Sequence, residues 1–122
     1  MSWDVVMIRT KTNSERLDEI ENENIIPFRQ AEIADEIKKI AGELGAAYAC
    51  NTLSWQWLGS EADQEPVWDI EFNIGENVEV ETVMLHLRGS IPKAAFAALT
   101  TDLNTRPIDC GTGEDLETKY FQ

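Results

Sequence analysis

The sequence predicts an α+β fold, a two-layer sandwich in which a mainly antiparallel sheet has two helices packed on one face. Three observations lead to this fold class. Alternating apolar and polar residues mark several segments of strand length, two other segments repeat apolar residues at helical spacing, and the resulting order is βαβββαβ. The chain of 122 residues has the length of one domain, which can bury a single core without metals or disulfides.

The first strand and the first helix have the clearest patterns. Residues 3–10 alternate and are rich in apolar and β-branched side chains, which predicts a strand. The polar, acidic residues 11–24 follow, and we expect a long connection or a frayed turn of helix there, anchored by Leu17 and Ile20. The next segment carries one apolar stripe at spacings of four, three and four, typical of an α-helix, and Gly45 is placed to cap its C-terminus. The stripe consists of Ile33, Ile37, Ile40 and Leu44.

Three strands are predicted in the middle of the chain. Residues 51–59 place a leucine and two tryptophans on one side, residues 67–74 alternate apolar with acidic or amide side chains, and residues 80–88 form the third strand. Paired as an antiparallel hairpin, the last two strands share one polar side. The side chains on it are Asp69, Glu71, Met84, His86 and Arg88.

The C-terminal third is predicted to contain a second helix and a short strand. Ser90 is a suitable N-cap, and Pro92 is tolerated in the first turn. The buried stripe of this helix consists of Phe96, Leu99 and Leu103. Residues 108–110 then predict a short edge strand. We expect one domain over residues 1–118 and treat residues 119–122 as a tail, because they resemble the remnant of a cleaved tag.

Charge narrows the classes of partner. The chain has 23 acidic and 10 basic residues and a net charge of −13, a field that repels phosphate backbones and anionic membranes. We therefore expect no nucleic-acid or membrane binding, whereas a basic protein would be attracted. The alternative is that the charge only maintains solubility. The N-terminus has no basic segment before an apolar stretch, and no window approaches the roughly 20 apolar residues of a membrane span, so we expect a cytoplasmic protein.

The polar side of the predicted sheet allows a catalytic interpretation and a structural one. In the first, Glu71 or Asp69 orients His86 as a general base, and Arg88 holds an anionic substrate. However, the chain has no nucleophile motif, no glycine-rich phosphate loop and no second histidine, and its two cysteines lack metal-binding spacing. Mixed charged pairs also commonly stabilise sheet faces. We therefore expect a hydrogen-bonded structural histidine, no enzymatic activity, and no metal or other cofactor.

Two groups of residues are candidates for binding a protein partner. The first is the tryptophan strand with the acidic loop after it, because aromatic residues beside carboxylates suit a basic protein surface; the alternative is that this loop is merely solvated. For Trp68 we expect core packing. The second is the polar side of the sheet, if the helices cover only the apolar side. The candidate residues are Trp55, Trp57, Glu61, Asp63, Glu65, Asp69, Glu71, His86 and Arg88.

Several short motifs resemble one family in their order along the chain. They are "MSWDV" at the start, a proline-led helix with Ile33 and Ile37, a tryptophan strand, "IEFNIG" at residues 70–75, "LHLRG" at residues 85–89, and "DCGTGED" at residues 109–115. In this order they resemble a group of small, mostly uncharacterised bacterial cytoplasmic proteins. Members of this type are often immunity proteins, encoded beside a secreted toxin domain that they neutralise by direct binding.

The resemblance implies a function without catalysis. We expect an immunity protein against a toxin of a contact-dependent or type VI secretion system, whose acidic surface occludes the active site of a basic cognate toxin domain. The alternative is a housekeeping binding or regulatory domain of unknown ligand. Neither interpretation predicts an oligomeric state.

Overall fold

The computed structural model describes residues 2–12, 15–50, 54–60 and 66–121. Its strands are β1 (Ser2–Ile8), β2 (Phe28–Arg29), β3 (Ala47–Cys50), β4 (Ser54–Ser60), β5 (Pro66–Asn73), β6 (Glu79–Val80), β7 (Thr82–Gly89) and β8 (Arg106–Asp109). Its helices are α1 (Gln30–Leu44) and α2 (Lys93–Ala97), and α2 continues as a π-helical turn (Ala98–Asp102). Short 3₁₀ turns lie at Leu17–Glu19, Asn22–Asn24 and Thr118–Tyr120. The predicted α+β class is confirmed.

Six strands form one sheet in the order β3-β4-β5-β7-β1-β8, and each neighbouring pair is antiparallel. The predicted hairpin of β5 and β7 therefore lies at the centre of the sheet, and β8 lies at one edge as predicted. The two-residue strands β2 and β6 form a separate small ladder, which joins the start of α1 to the β5–β7 connection. Within the described ranges no helix is long and apolar enough to cross a bilayer.

Helices α1 and α2 pack on the same face of this sheet. The apolar stripe of α1 is buried against it as predicted, and Gly45 ends the helix in the left-handed conformation, with a φ of 68°. The main core joins this stripe to α2 and to the inward positions of the strands. Members of the core include Val5, Met7, Ile33, Ile37, Ile40, Trp55, Trp57, Trp68, Ile70, Phe72, Leu85, Phe96 and Leu99.

Among the described residues, the opposite face of the sheet is covered at the β1–β8 end. Val6, Ile8 and Ile108 form a second small core there. The connection after β1 packs on it through Leu17 and Ile20, the two anchors expected from the sequence. The acidic connection is therefore a partial third layer, since its apolar residues cover the outward-facing positions of β1 and β8.

Three strand assignments and one helix start differ from the prediction. Strands β2 and β3 have no counterpart in the prediction, because two and four residues are too short to show a clear alternation. The predicted single strand over residues 80–88 is divided at Glu81 between β6 and β7. Helix α2 begins at Lys93 with Pro92 as its N-cap residue, so the cap predicted at Ser90 is wrong.

The core extends beyond the boundary predicted at residue 118. Phe121 is buried, and its ring stacks on Phe96 with a centroid distance of 4.5 Å and on Trp3 at 6.0 Å. Tyr120 adds an edge contact to Trp3 at 5.7 Å. Residues 119–121 are therefore part of the packed domain, because apolar rings at the C-terminal end close the core beside α2 and β1.

Candidate functional site

The outward side of the central strands is a continuous polar surface, here called the open face. It consists of Asp4, Gln56, Asp69, Glu71, Met84, His86 and Arg88. Asp69 is paired in register with Arg88, and Glu71 with His86. The predicted hairpin geometry is therefore confirmed, and four of the candidate residues lie side by side. The helices pack on the other side of the sheet, so they leave these side chains uncovered.

An ion pair joins Arg88 to Asp69 across β5 and β7. Arg88 Nη1 donates to Asp69 Oδ1 at 2.7 Å, and Gln56 Nε2 donates to the same oxygen at 3.3 Å. The Asp69 side chain is 17% exposed and that of Arg88 is 41% exposed. The carboxylate is thus held within the sheet surface, whereas the guanidinium keeps donors available to a partner.

His86 is hydrogen-bonded to Asp4, a residue that the sequence did not single out. His86 Nδ1 lies 2.7 Å from Asp4 Oδ1, and the two residues are directly opposite in the β1–β7 ladder. The catalytic interpretation assigned this contact to Glu71 or Asp69, which is wrong, because β1 lies beside β7 and supplies the carboxylate of Asp4. The Asp4 side chain is 57% exposed and that of His86 is 29% exposed.

The electrostatics of the open face favour a cationic partner. The open face carries three carboxylates, those of Asp4, Asp69 and Glu71, and one guanidinium, that of Arg88. Carboxylates accept hydrogen bonds from lysine and arginine, and Arg88 and the imidazole provide directional contacts. In the part of the chain described here, no three His, Cys, Asp or Glu side chains are grouped so that they could hold a metal ion.

A thiol lies beside the open face at the start of the C-terminal segment. Cys110 Sγ lies 3.9 Å from Met84 Sδ. Burial raises the pKa of this thiol, and the negative charges of Asp4 and Asp109 raise it further. Cys110 therefore remains protonated around neutral pH, which lowers its reactivity as a nucleophile.

Trp55 and Trp57 do not belong to an exposed binding patch. Both indoles are buried on the helix side of the sheet, opposite Phe72 and Ile70. Trp57 Nε1 donates to the backbone carbonyl of Ile37 in α1 at 2.8 Å, which satisfies the buried N–H. Their assignment to partner binding is therefore wrong: both pack in the main core together with Trp68, the one indole for which core packing was predicted. The alternation that places both indoles in phase with Leu53 was the signal for their burial.

The acidic loop residues Glu61, Asp63 and Glu65 lie outside the described residues. The chain leaves β4 at Ser60 and enters β5 at Pro66. Their role as binding residues stays a prediction.

A buried ionic network surrounds Arg106, where the sequence predicted only a break in the chain. The guanidinium donates from Nε and Nη2 to both carboxylate oxygens of Asp115, at 3.2 and 2.8 Å. It also donates to Thr10 Oγ1 at 3.1 Å and to the backbone oxygens of Thr12 and Glu15 at 3.4 and 2.6 Å. All five donors are thus used to tie β8 to the connection after β1.

Glu15 completes this network. Its Oε2 atom is buried without a hydrogen-bond partner, 3.8 Å from Arg106 Nη1. The hydrogen bond from the Thr12 hydroxyl lowers the pKa of the Glu15 carboxyl below its ordinary value, with smaller contributions from its own backbone N–H and from Arg106. The carboxylate therefore stays charged in mildly acidic solution and loses its charge only as the pH falls through that lowered pKa.

A cleft next to this network is here called the Arg9 cleft. Its volume is about 340 Å³. It opens where the chain leaves β1, where the π-helical turn ends and where β8 begins. The lining includes Arg9, Lys11, Ile26, Thr100, Asn104 and Leu116. The sequence contained no motif for this cleft, because its walls come from four separate segments.

Comparisons of the chain with protein-family models, with curated proteins and with solved structures give no match. The resemblance to small bacterial immunity proteins stays a prediction from sequence motifs. The charge, the open face and the clefts of this chain therefore carry the functional inference.

Proposed function

We propose that this protein is an immunity protein that binds a basic toxin domain through the open face and thereby occludes the toxin's active site. The observation that carries the proposal is the uncovered polar surface at the centre of the sheet, where Asp4 and Glu71 flank the imidazole of His86. The net charge of −13 would draw a basic toxin towards this surface before contact forms.

The open face combines the chemical groups that a specific protein interface needs. Met84 is the exposed apolar residue of the face, 38% accessible, and a methionine adapts its shape to a partner. His86 lies between Met84 and Arg88 along β7, and Asp4 is directly opposite His86, so Arg88 and Asp4 can provide charge-assisted hydrogen bonds beside the methionine. Exposed apolar and arginine side chains next to polar groups are common at protein interfaces.

The size and rigidity of the surface also suit tight binding. A standard interface buries roughly 800 Å² on each partner, about a ninth of this protein's accessible surface of 7164 Å². The side chains of the open face stand on four adjacent strands of one sheet, so little conformational entropy is lost when a partner binds. Occlusion requires only that such a surface covers the catalytic cleft of the toxin.

The test is co-purification of the tagged protein from its own bacterium, followed by mass spectrometry of the bound proteins. We expect a stoichiometric basic toxin domain. The variant Asp4→Asn/Glu71→Gln keeps the shape of the open face and removes two charges, so it should slow association with that domain about tenfold at low salt.

The matched control is Glu32→Gln/Glu36→Gln, which removes the same charge from exposed positions on α1, on the other side of the sheet. It should change the association rate much less. Recovery of the protein alone would overturn the proposal in favour of a housekeeping binding domain. An equal decrease in association rate for both double variants would show that net charge, and not the open face, controls binding, and would contradict the open face as the binding surface.

A further inference from the structure

We infer that the Arg9 cleft is a binding site for a small organic anion that has an oxyanion head, carboxylate or phosphate, and a short apolar body. The inference is independent of the toxin-binding proposal, because the cleft lies away from the open face at the β1–β8 edge. Its volume of about 340 Å³ is at the lower end of the range of small-molecule sites.

Arg9 is held in place with donors to spare. Its Nε donates to the backbone oxygen of Asn104 at 3.0 Å and its Nη2 to that of Leu103 at 2.6 Å, and its guanidinium carbon lies 4.7 Å from the ring centre of Phe28. Among the described residues, these hydrogen bonds use two of the five N–H donors. The guanidinium group of Arg9 is therefore fixed in orientation before a ligand binds, and its Nη1 can still donate hydrogen bonds to an oxyanion.

Lys11 supplies a second positive charge to the same cleft. Its side chain is exposed, and its ammonium group makes no hydrogen bond or ion pair with the residues that the structure describes. Arg106 also lines the cleft, but Asp115 neutralises it and all its donors are used. Recognition of an anion is thus left to Arg9 and Lys11.

Basic side chains are concentrated in the Arg9 cleft, although the protein as a whole is acidic. Of 10 basic residues in the chain, Arg9, Lys11 and Arg106 line this one cleft, against the single carboxylate of Asp115. A chain with a net charge of −13 repels anions in general. A cleft with a local excess of positive charge is therefore where an anionic ligand would be bound and oriented.

The remaining lining suits the body of an organic molecule. Ile26 is 37% exposed at the rim, and Leu116 and Pro107 provide apolar walls. Asn104 ends the π-helical turn in the left-handed conformation, with a φ of 53°, and adds an amide to the lining. Left-handed asparagine commonly ends a helix, so this conformation alone indicates no ligand. The combination of charge, volume and apolar wall carries the inference.

The experiment is a titration of the ¹⁵N-labelled full chain, monitored by two-dimensional NMR, with sodium butyrate and with inorganic phosphate as probes. Butylammonium at equal ionic strength is the control for charge. We expect saturable shifts of the amides of Thr10, Lys11, Thr100 and Asn104 with a dissociation constant of about 1–10 mM, as suits such small probes. Butylammonium should shift none of them.

Two lysine variants test whether the cleft binds the anion itself or whether its charges serve only the fold. Lys11→Gln removes a charge that the fold does not use and should raise the dissociation constant about three- to tenfold. Lys38→Gln, at an exposed position of α1, should leave it unchanged. Binding of butyrate alone supports the carboxylate form of the ligand, and binding of phosphate alone supports the phosphate form. The inference is overturned if neither anion gives saturable shifts at the cleft, or if Lys11→Gln has no more effect than Lys38→Gln.

Discussion

Gly59 and Trp68 show how one residue without a side chain allows another to be buried. The two residues are paired across β4 and β5 on the helix side of the sheet. A Cβ atom at Gly59 would lie only 1.8 Å from Trp68 Nε1. The indole therefore occupies the space that any other residue at position 59 would need.

We predict that Gly59→Ala lowers the free energy of unfolding by about 1–3 kcal/mol, because the rigid indole must move out of a packed core. Urea unfolding monitored by tryptophan fluorescence measures the loss. Gly42→Ala is the matched control, since no atom lies within 4 Å of its added Cβ and it is inside α1. It should stabilise the protein by about 0.5–1 kcal/mol. Equal effects of both substitutions would contradict the packing argument.

The residues of the open face were predictable in part. Alternation in β5 and β7 was enough to place Asp69, Glu71, His86 and Arg88 on one side, and their pairing followed from the hairpin. The hydrogen bond between His86 and Asp4 was not predictable, because only the strand order reveals that β1 lies beside β7. A residue's face can be read from local sequence, whereas its partner across a non-consecutive ladder cannot.

Elements with strong periodicity were predicted with small errors in their bounds. Helix α1 follows its apolar stripe to Gly45, and β4 and β5 differ from the predicted bounds by a few residues. The strands β2 and β3 were not predicted, and β6 was not separated from β7, because two to four residues are too short to show alternation. Their existence depends on long-range pairing, which the local sequence does not report.

The C-terminal segment behaves as an element of the core. The Phe121 ring lies in a stack with Phe96 and Trp3, although its sequence resembles the end of a tag. We predict that Phe121→Ala lowers the free energy of unfolding by about 3 kcal/mol, the low end for a buried phenylalanine, because a chain end can relax. Thermal or urea unfolding measures this.

Tyr120→Ala is the comparison for Phe121→Ala, because Tyr120 is 57% exposed and makes only an edge contact with Trp3. This substitution should lower the free energy of unfolding by about 1 kcal/mol or less. A Phe121→Ala variant as stable as the parent protein would show that the segment does not contribute to the core.

At the scale of the whole molecule, the two faces of the sheet differ in polarity and in what packs on them. Both helices cover one face and complete the main core, while on the other face the described residues of the connection after β1 cover the β1–β8 end. The centre of that second face is left as the polar open face. The net charge of −13 is thus accompanied by a specific acidic surface, which a purely solubilising charge does not require.

The most direct measurement is carboxyl footprinting of the protein alone and in complex with the co-purified partner. Carbodiimide-driven labelling modifies exposed carboxylates, and peptide mass spectrometry reports the extent at each residue. We predict that the partner protects Asp4 and Glu71 of the open face and leaves Glu32 and Glu36 of α1 labelled as in the free protein. Protection of the α1 carboxylates with unchanged labelling of Asp4 and Glu71 would contradict the central claim that the open face is the binding surface.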